Sequence, residues 1–198
     1  MYELPITVKI GDVEYPIRND GDYRMVLDCF VALQDPELES ELERVLASLI
    51  IFYDDIESIE DALQLTDEEV RLRSDAMFDF FNCGQPEQGS SSYKVMDWKQ
   101  DEQLVISAIN QVAGKEVRAE PYIHWWTFMG YYMGIGEGAF ATVVSIRYKV
   151  LKGKKLEKHE KEFKRDNPQY FTWNHKTIED QNAEQYVKDL WNNGGKED

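Results

Sequence analysis

The sequence predicts a predominantly α-helical α+β protein, with an N-terminal β-hairpin followed by short packed helices. Three observations carry that expectation. Residues 5–17, PITVKIGDVEYPI, alternate apolar side chains with period two on either side of Gly11-Asp12. From Tyr23 onward apolar residues recur at i, i+3, i+4 and i+7 instead, which is the helical period. Residues 119–148 then hold a denser run of large side chains than any other stretch.

Taken in order, Ile6, Val8 and Ile10 form one strand and Val13, Tyr15 and Ile17 the other, with Gly11-Asp12 supplying the positive φ of a tight turn. A lone hairpin is marginal in water, so it must lie on a helix or pair with another chain. Pro16 lacks an N–H and marks an edge. Asp20-Gly-Asp22 can cap a helix bearing Tyr23, Val26, Leu27, Phe30 and Val31, which should stop near Asp35-Pro36. The next helix is expected from Glu37 to about Tyr53, with Leu42, Val45, Leu46, Leu49 and Ile50 inward. Its Glu37, Glu39, Glu41 and Glu43 would sit at the positive end of the helix dipole. Thr66-Asp-Glu-Glu69 reads as a capping box, opening a helix that runs to about Asn82 and closes at Cys83-Gly84.

Residues 85–93 are rich in Gly, Pro and Ser and read as a flexible linker. It separates an N-terminal lobe, 1–84, from a C-terminal helical lobe with an aromatic core, 94–175; a terminal helix and frayed tail occupy 176–198. Asp97-Trp98 should start a helix with Val105, Ala108, Ile109 and Val112 on one face, ended by Gly114. Pro121 pre-sets φ for the aromatic helix, where Trp125, Phe128, Met129 and Tyr132 share one face and Ile123, Trp126 and Met133 a second. A helix apolar on most of its circumference is expected to be buried. Gly134, Gly136 and Gly138 interrupt it, and Phe140 to about Arg165 reads as one further helix, broken by Asp166-Asn-Pro168. Ala183, Tyr186, Val187, Leu190 and Trp191 make a last short stripe.

A chain of 198 residues suffices for one ordinary core or two small lobes. Its net charge of −16 repels polyanions and argues against wholesale binding of nucleic acid or of an anionic membrane. No 18-residue apolar run and no basic-then-apolar leader is present, so neither a membrane span nor secretion is expected. Cys29 and Cys83 lie among apolar residues and read as buried thiols. The charge is segregated: residues 1–80 hold 21 Asp/Glu against 6 Lys/Arg, whereas 147–165 hold 9 Lys/Arg against 3 Glu.

Each residue type that carries chemistry elsewhere has a plainer reading here. His124 lacks the companions that zinc requires, since His159 and His175 stand in polar surroundings with no Cys at ligand spacing. It reads as a histidine held by packing and one hydrogen bond. Gly134-Ile-Gly-Glu-Gly138 follows a helix, lacks a Lys and carries Glu137, so it reads as a corner between helices and not as a phosphate loop. Asp54, Asp55 and Glu57, and Asp67, Glu68 and Glu69, stand in open polar stretches where nothing raises a carboxyl pKa for acid catalysis. No nucleophile motif is present. The expectation is a protein that is not an enzyme and has no metal or cofactor. The basic run, with Lys154, Lys155 and Lys158 as candidate contacts, fits a solvated face, an acidic partner or second copy, or nucleic acid.

Tyr122-Ile-His-Trp-Trp-Thr-Phe128, with Asp97–Val112 before it and Gly134–Gly138 and Ile146-Arg147 after it, resembles the centre of a phage protein family. GDVEYPIRNDGDYRMVL and AMFDFFNCG extend the likeness through the first half, so that it covers about residues 6–171. The family is similar to the tail assembly chaperones of long-tailed phages, encoded between the major tail protein and the tape-measure protein. The resemblance implies a protein that binds the tape-measure protein and helps recruit the major tail protein. It also implies a homo-oligomer acting in the host cytoplasm and absent from the mature virion. Trp98, Trp125, Tyr132, Leu190 and Trp191 are the candidate aromatic and apolar contacts, with core packing competing for them. The alternatives are a structural tail or tail-completion protein kept in the virion, and a small regulatory or nucleic-acid-binding phage protein.

Overall fold

The period-two segment forms β1, Thr7–Ile10, and β2, Val13–Pro16, paired antiparallel with Ile10 opposite Val13 and Thr7 opposite Pro16. The computed structural model describes residues 3–85 and 95–173. Gly11, at φ +61°, opens the two-residue turn. Val8 and Tyr15 face each other across the ribbon; Val8 is buried, while Ile6 and Val13 toward its two ends stay exposed. The ribbon is held as such a short sheet must be: β1 lies against helix α4, Asp67–Phe81, and Ile17 bridges to Tyr53 beyond β2.

Between β2 and the first helix the chain makes a left-handed turn. Asn19, Asp20 and Gly21 take φ of 51°, 50° and 76° in succession. Gly21 is required twice over, because a Cβ there would also stand 2.8 Å from Phe80 Cζ and 3.1 Å from His124 Nε2. Asp22 then caps α1, Tyr23–Leu33, accepting the Arg24 amide at 2.9 Å.

Helix α2, Glu41–Phe52, starts four residues later than the sequence suggested. Ser40 forms a capping box with Glu43, and this local pair fixes the start, leaving Glu37 and Glu39 ahead of it. A one-turn helix that the sequence reading did not include, α3, Ile59–Ala62, follows on a second box made by Ser58 and Asp61. Helix α4 opens at the Thr66–Glu69 box and closes at Cys83-Gly84 as expected. The Cys83 amide reaches Phe80 O at 3.0 Å and the Gly84 amide Asp79 O at 2.9 Å, a Schellman closure with both residues at positive φ.

In the second half, α5 spans Glu102–Ala113 and does not begin at Asp97. Asp97 Oδ1 instead accepts the Lys99 and Gln100 amides, holding residues 98–101 as a turn. Helix α6 is Trp125–Met133 and α7 is Ala139–Leu151. The long helix expected over 140–165 is two. Gly153, at φ +63°, lets the Lys154 amide return to Lys149 O at 2.8 Å, and α8, Lys158–Asp166, restarts after Glu157. Thus eight α-helices and one two-stranded sheet are present among the described residues, a mainly helical α+β fold.

The expected linker, 85–93, lies outside the described residues apart from Gln85, as does the stripe at 183–191. Helices on both sides of the linker contribute to a single apolar cluster that includes Val8, Val26, Leu49, Phe80, Ile109, Trp125, Phe128 and Phe140.

Candidate partner-binding surface

The surface is organised by how α6 is held. His124 is its N-cap: Nδ1 accepts the Trp126 amide at 3.0 Å, and Nε2 donates to Pro5 O at 2.9 Å. A carbonyl oxygen can only accept, so the ring is the neutral Nε2–H tautomer. Desolvation holds its pKa below the usual histidine range, against the opposing pull of the Pro5 carbonyl and the Asp22 charge. The ring makes two hydrogen bonds where the sequence reading foresaw one, and it ties the segment before β1 to α6. Asp22 supports the same junction, its Oδ2 accepting the Ile123 amide at 2.9 Å while Tyr23 N donates to Ile123 O.

The aromatic side chains follow from this placement. Trp125 donates its indole N–H to Phe81 O and Trp126 donates its own to Phe80 O, each at 2.9 Å. Tyr23 stacks on Phe128 with centroids 4.2 Å apart. Trp125 is 1% exposed and so belongs to the core, removed from the candidate contacts by its packing against Phe30, Trp98 and Phe128. Trp98 and Tyr132 are half-buried, 5.4 Å apart between ring centroids. Leu190 and Trp191 lie outside the described residues.

The expectation of a helix covered on most sides needs correction at the C-terminal end of α6. Packing comes mainly from α1 and α5, with α4 meeting Trp125 and Trp126 and Phe140 of α7 meeting Tyr132, and Gly130, Met133 and Gly134 stay exposed. Met133 is 81% exposed and Val112 of α5 41%. Val112 packs against Gly134, where a Cβ would stand 3.0 Å from Val112 Cγ1, Met133 is the residue before that glycine, and Gly130 adds an exposed backbone one turn earlier. The result is an apolar seam of Val112, Gly130, Met133 and Gly134.

The basic run divides in two. Lys154, Lys155 and Lys158 are exposed at the corner between α7 and α8. Arg147 is the opposite: its guanidinium pairs with both oxygens of Asp101 and donates to Val95 O and Tyr170 O, the two side chains being 5% and 1% exposed. Lys149 likewise turns inward to Glu160 at 2.6 Å, and that hydrogen bond, with one from the Glu157 amide, holds the Glu160 carboxyl below the usual range. The Asp101–Arg147 pair was not visible in the sequence, where Arg147 counted among the surface cations.

A second surface feature is an open groove of about 830 Å³ between the left-handed turn, α1, the end of α2 and residues 120–122. Cys29 is buried and Cys83 half-buried; burial pushes both thiols up. Among the described residues no group of three or more His, Cys, Asp or Glu is placed to hold a metal ion, and no helix is long and apolar enough to cross a membrane.

Against this geometry, the sequence model of the family described as Bacteriophage Gp15 protein matches residues 1–171. The chain belongs to that bacteriophage family. No curated protein and no solved structure matches it. The Gp15 match takes in the His124 junction, the apolar seam and the lysine corner, while Leu190 and Trp191 fall beyond it.

Proposed function

We propose that this Gp15-family protein is a tail assembly chaperone, a holdase without enzymatic activity that binds the tape-measure protein in the host cytoplasm and helps recruit the major tail protein. The observation that supports it best is the apolar seam, in which Met133 is 81% exposed on a chain of net charge −16. A long helical partner exposes apolar stripes that aggregate unless covered. Gly130, where a Cβ would meet nothing within 4 Å, lets a partner backbone come close, and the flexible Met133 side chain adapts to differing partner side chains. Trp98 and Tyr132 offer half-buried rings, and Leu190 and Trp191 remain candidate contacts from the sequence.

The test is co-expression of the full chain with the tape-measure protein. A soluble complex is expected, and Val112→Lys with Met133→Lys should leave this protein folded while the tape measure precipitates. Failure of the wild type to keep the tape measure soluble overturns the reading. Abundant peptides of this chain in purified virions would mark a structural tail or tail-completion protein instead.

A further inference from the structure

We infer that copies of this chain join head to tail, the lysine corner between α7 and α8 of one copy entering the groove beside the left-handed turn of the next. The inference does not rest on the chaperone reading.

Met25, Ile50, Ile51 and Pro121 are the apolar part of the groove's lining. Its two arginines are already committed. Arg18 donates to Tyr53 O and Ile56 O and faces Asp54 at 3.6 Å, while Arg24 pairs with Asp22 and donates to Glu120 O at 2.7 Å. Asp20, Asp28 and Glu57 on its walls form no ion pair among the described residues. The groove's unbalanced charge is therefore negative. Partial burial already pushes the Asp28 carboxyl above its usual range, and a cation seated beside it would relieve that cost.

The corner is the complement. Gly153 turns the chain sharply, Lys154 Nζ stands 5.4 Å from the Tyr148 ring, and Lys155 and Lys158 are exposed beyond it; Tyr148, Val150 and Leu151 at the end of α7 are 40%, 44% and 45% exposed. Lys158 reaches Glu162 only at 4.0 Å, and none of the three lysines pairs with an acid of residues 3–85 among the described residues. Each surface thus sets exposed apolar side chains beside charge, and the two charges are opposite in sign, the complementarity that steers and registers protein interfaces. The second copy is the occupant because this chain carries both halves of the match. Since different patches meet, every added copy leaves one groove and one corner free, and growth continues until a ring closes.

Charge-swap sedimentation velocity on the full chain tests this, at about 150 mM salt, where repulsion between the acidic bodies is screened beyond roughly 8 Å. One variant carries Asp28→Lys and Glu57→Lys, the other Lys154→Glu and Lys155→Glu. All four side chains are exposed, so unchanged circular dichroism is expected for both. The wild type should sediment as species larger than a monomer in proportion to concentration. Each variant alone sets like charge against like and should weaken association at least about tenfold. Mixed in equal amounts, the two variants should reassociate, because every contact between them again joins opposite charges. A wild type that stays monomeric, a variant that assembles as the wild type does, or a mixture that fails to reassemble overturns the proposal. A monomeric chain that still solubilises the tape measure would sink this inference alone; head-to-tail assemblies indifferent to the tape measure would sink only the chaperone reading.

Discussion

Replacing Asp101 by Asn should be among the most damaging isosteric changes available in this protein. Arg147 has five N–H groups, and the structure gives every one an acceptor: Nε–H and one Nη2–H on Tyr170 O, one Nη1–H on Val95 O, and the remaining two on Asp101. Asp101 accepts the Asp97 amide as well, at 2.9 Å. With the side chains 5% and 1% exposed, water cannot replace a lost partner. In Asp101→Asn the buried guanidinium keeps its charge while its counter-ion is gone, and one amide N–H is turned against another N–H. Breaking a buried pair from one side costs about 3–5 kcal/mol. That is a large share of the roughly 5–15 kcal/mol that holds a domain folded. For a chain of this size it corresponds to a melting point lower by roughly 6–20 °C.

Urea unfolding followed by circular dichroism measures the cost, and a cycle with Arg147→Gln tests its origin. The double variant buries two neutral amides that can bond to each other, so its loss should fall short of the sum of the single losses by about 2–3 kcal/mol. Salt should hardly matter, because a pair shielded from solvent is little screened between about 50 and 500 mM. A single-variant loss below about 1 kcal/mol, or additivity within about 0.5 kcal/mol, would refute the buried clamp.

Three further outcomes are expected. Gly21→Ala combines a left-handed backbone, costing about 1–2 kcal/mol, with a contact 2.8 Å from Phe80 Cζ, costing about 1–3, and should lower the urea midpoint accordingly. The folded state holds His124 below its usual pKa, so the unfolded chain binds the proton more readily. This contribution is intact above about pH 6.5 and declines as pH falls through the window beneath it, by at most about 1.4 kcal/mol per pH unit. Comparing urea midpoints at several pH values should show a smaller loss in His124→Asn, which keeps a capping side chain without the titration; an identical loss would remove His124 from the account. Finally, a thiol reagent should modify one cysteine in native buffer and both in denaturant, with Cys83 reacting first, because Cys29 is fully buried against Met25 and Ser48.

Signals confined to a few residues were legible in the sequence. The period-two ribbon, the Thr66–Glu69 box and the Cys83-Gly84 stop all depend on neighbours within nine positions, and each appears where the pattern puts it. Competing local signals were harder to rank: Ser40 outcompetes the earlier acids as a helix start, and Gly153, tolerable inside a helix, instead ends one. Pairings across the chain were not legible. Arg147 and Asp101 stand 46 residues apart, and nothing in a basic run marks which cation turns inward. The aromatic segment announced burial without distinguishing Trp125 from Met133, because that difference is set by which sides of α6 are met by α1 and α5. The lysine corner showed as a charge run. The groove did not, since its walls come from four separated stretches.

That separation bears on how stability and recognition divide. Helix α6 is fixed near its N-terminal end, by the His124 cap, the two indole bonds to the end of α4, and the Tyr23–Phe128 stack. None of them involves Gly130 or Met133. Burying Met133 on binding a partner therefore adds apolar contact without disturbing what holds the helix, and leaving it exposed forgoes roughly 1.5–3 kcal/mol of possible burial. A protein whose core already contains Trp125, Phe128, Phe52, Tyr53 and Phe80 can leave that much unused. In the chaperone reading, Met133 is thus available to a partner helix while every bond that holds α6 stays in place, and a site that need not rearrange loses less ordering entropy on binding.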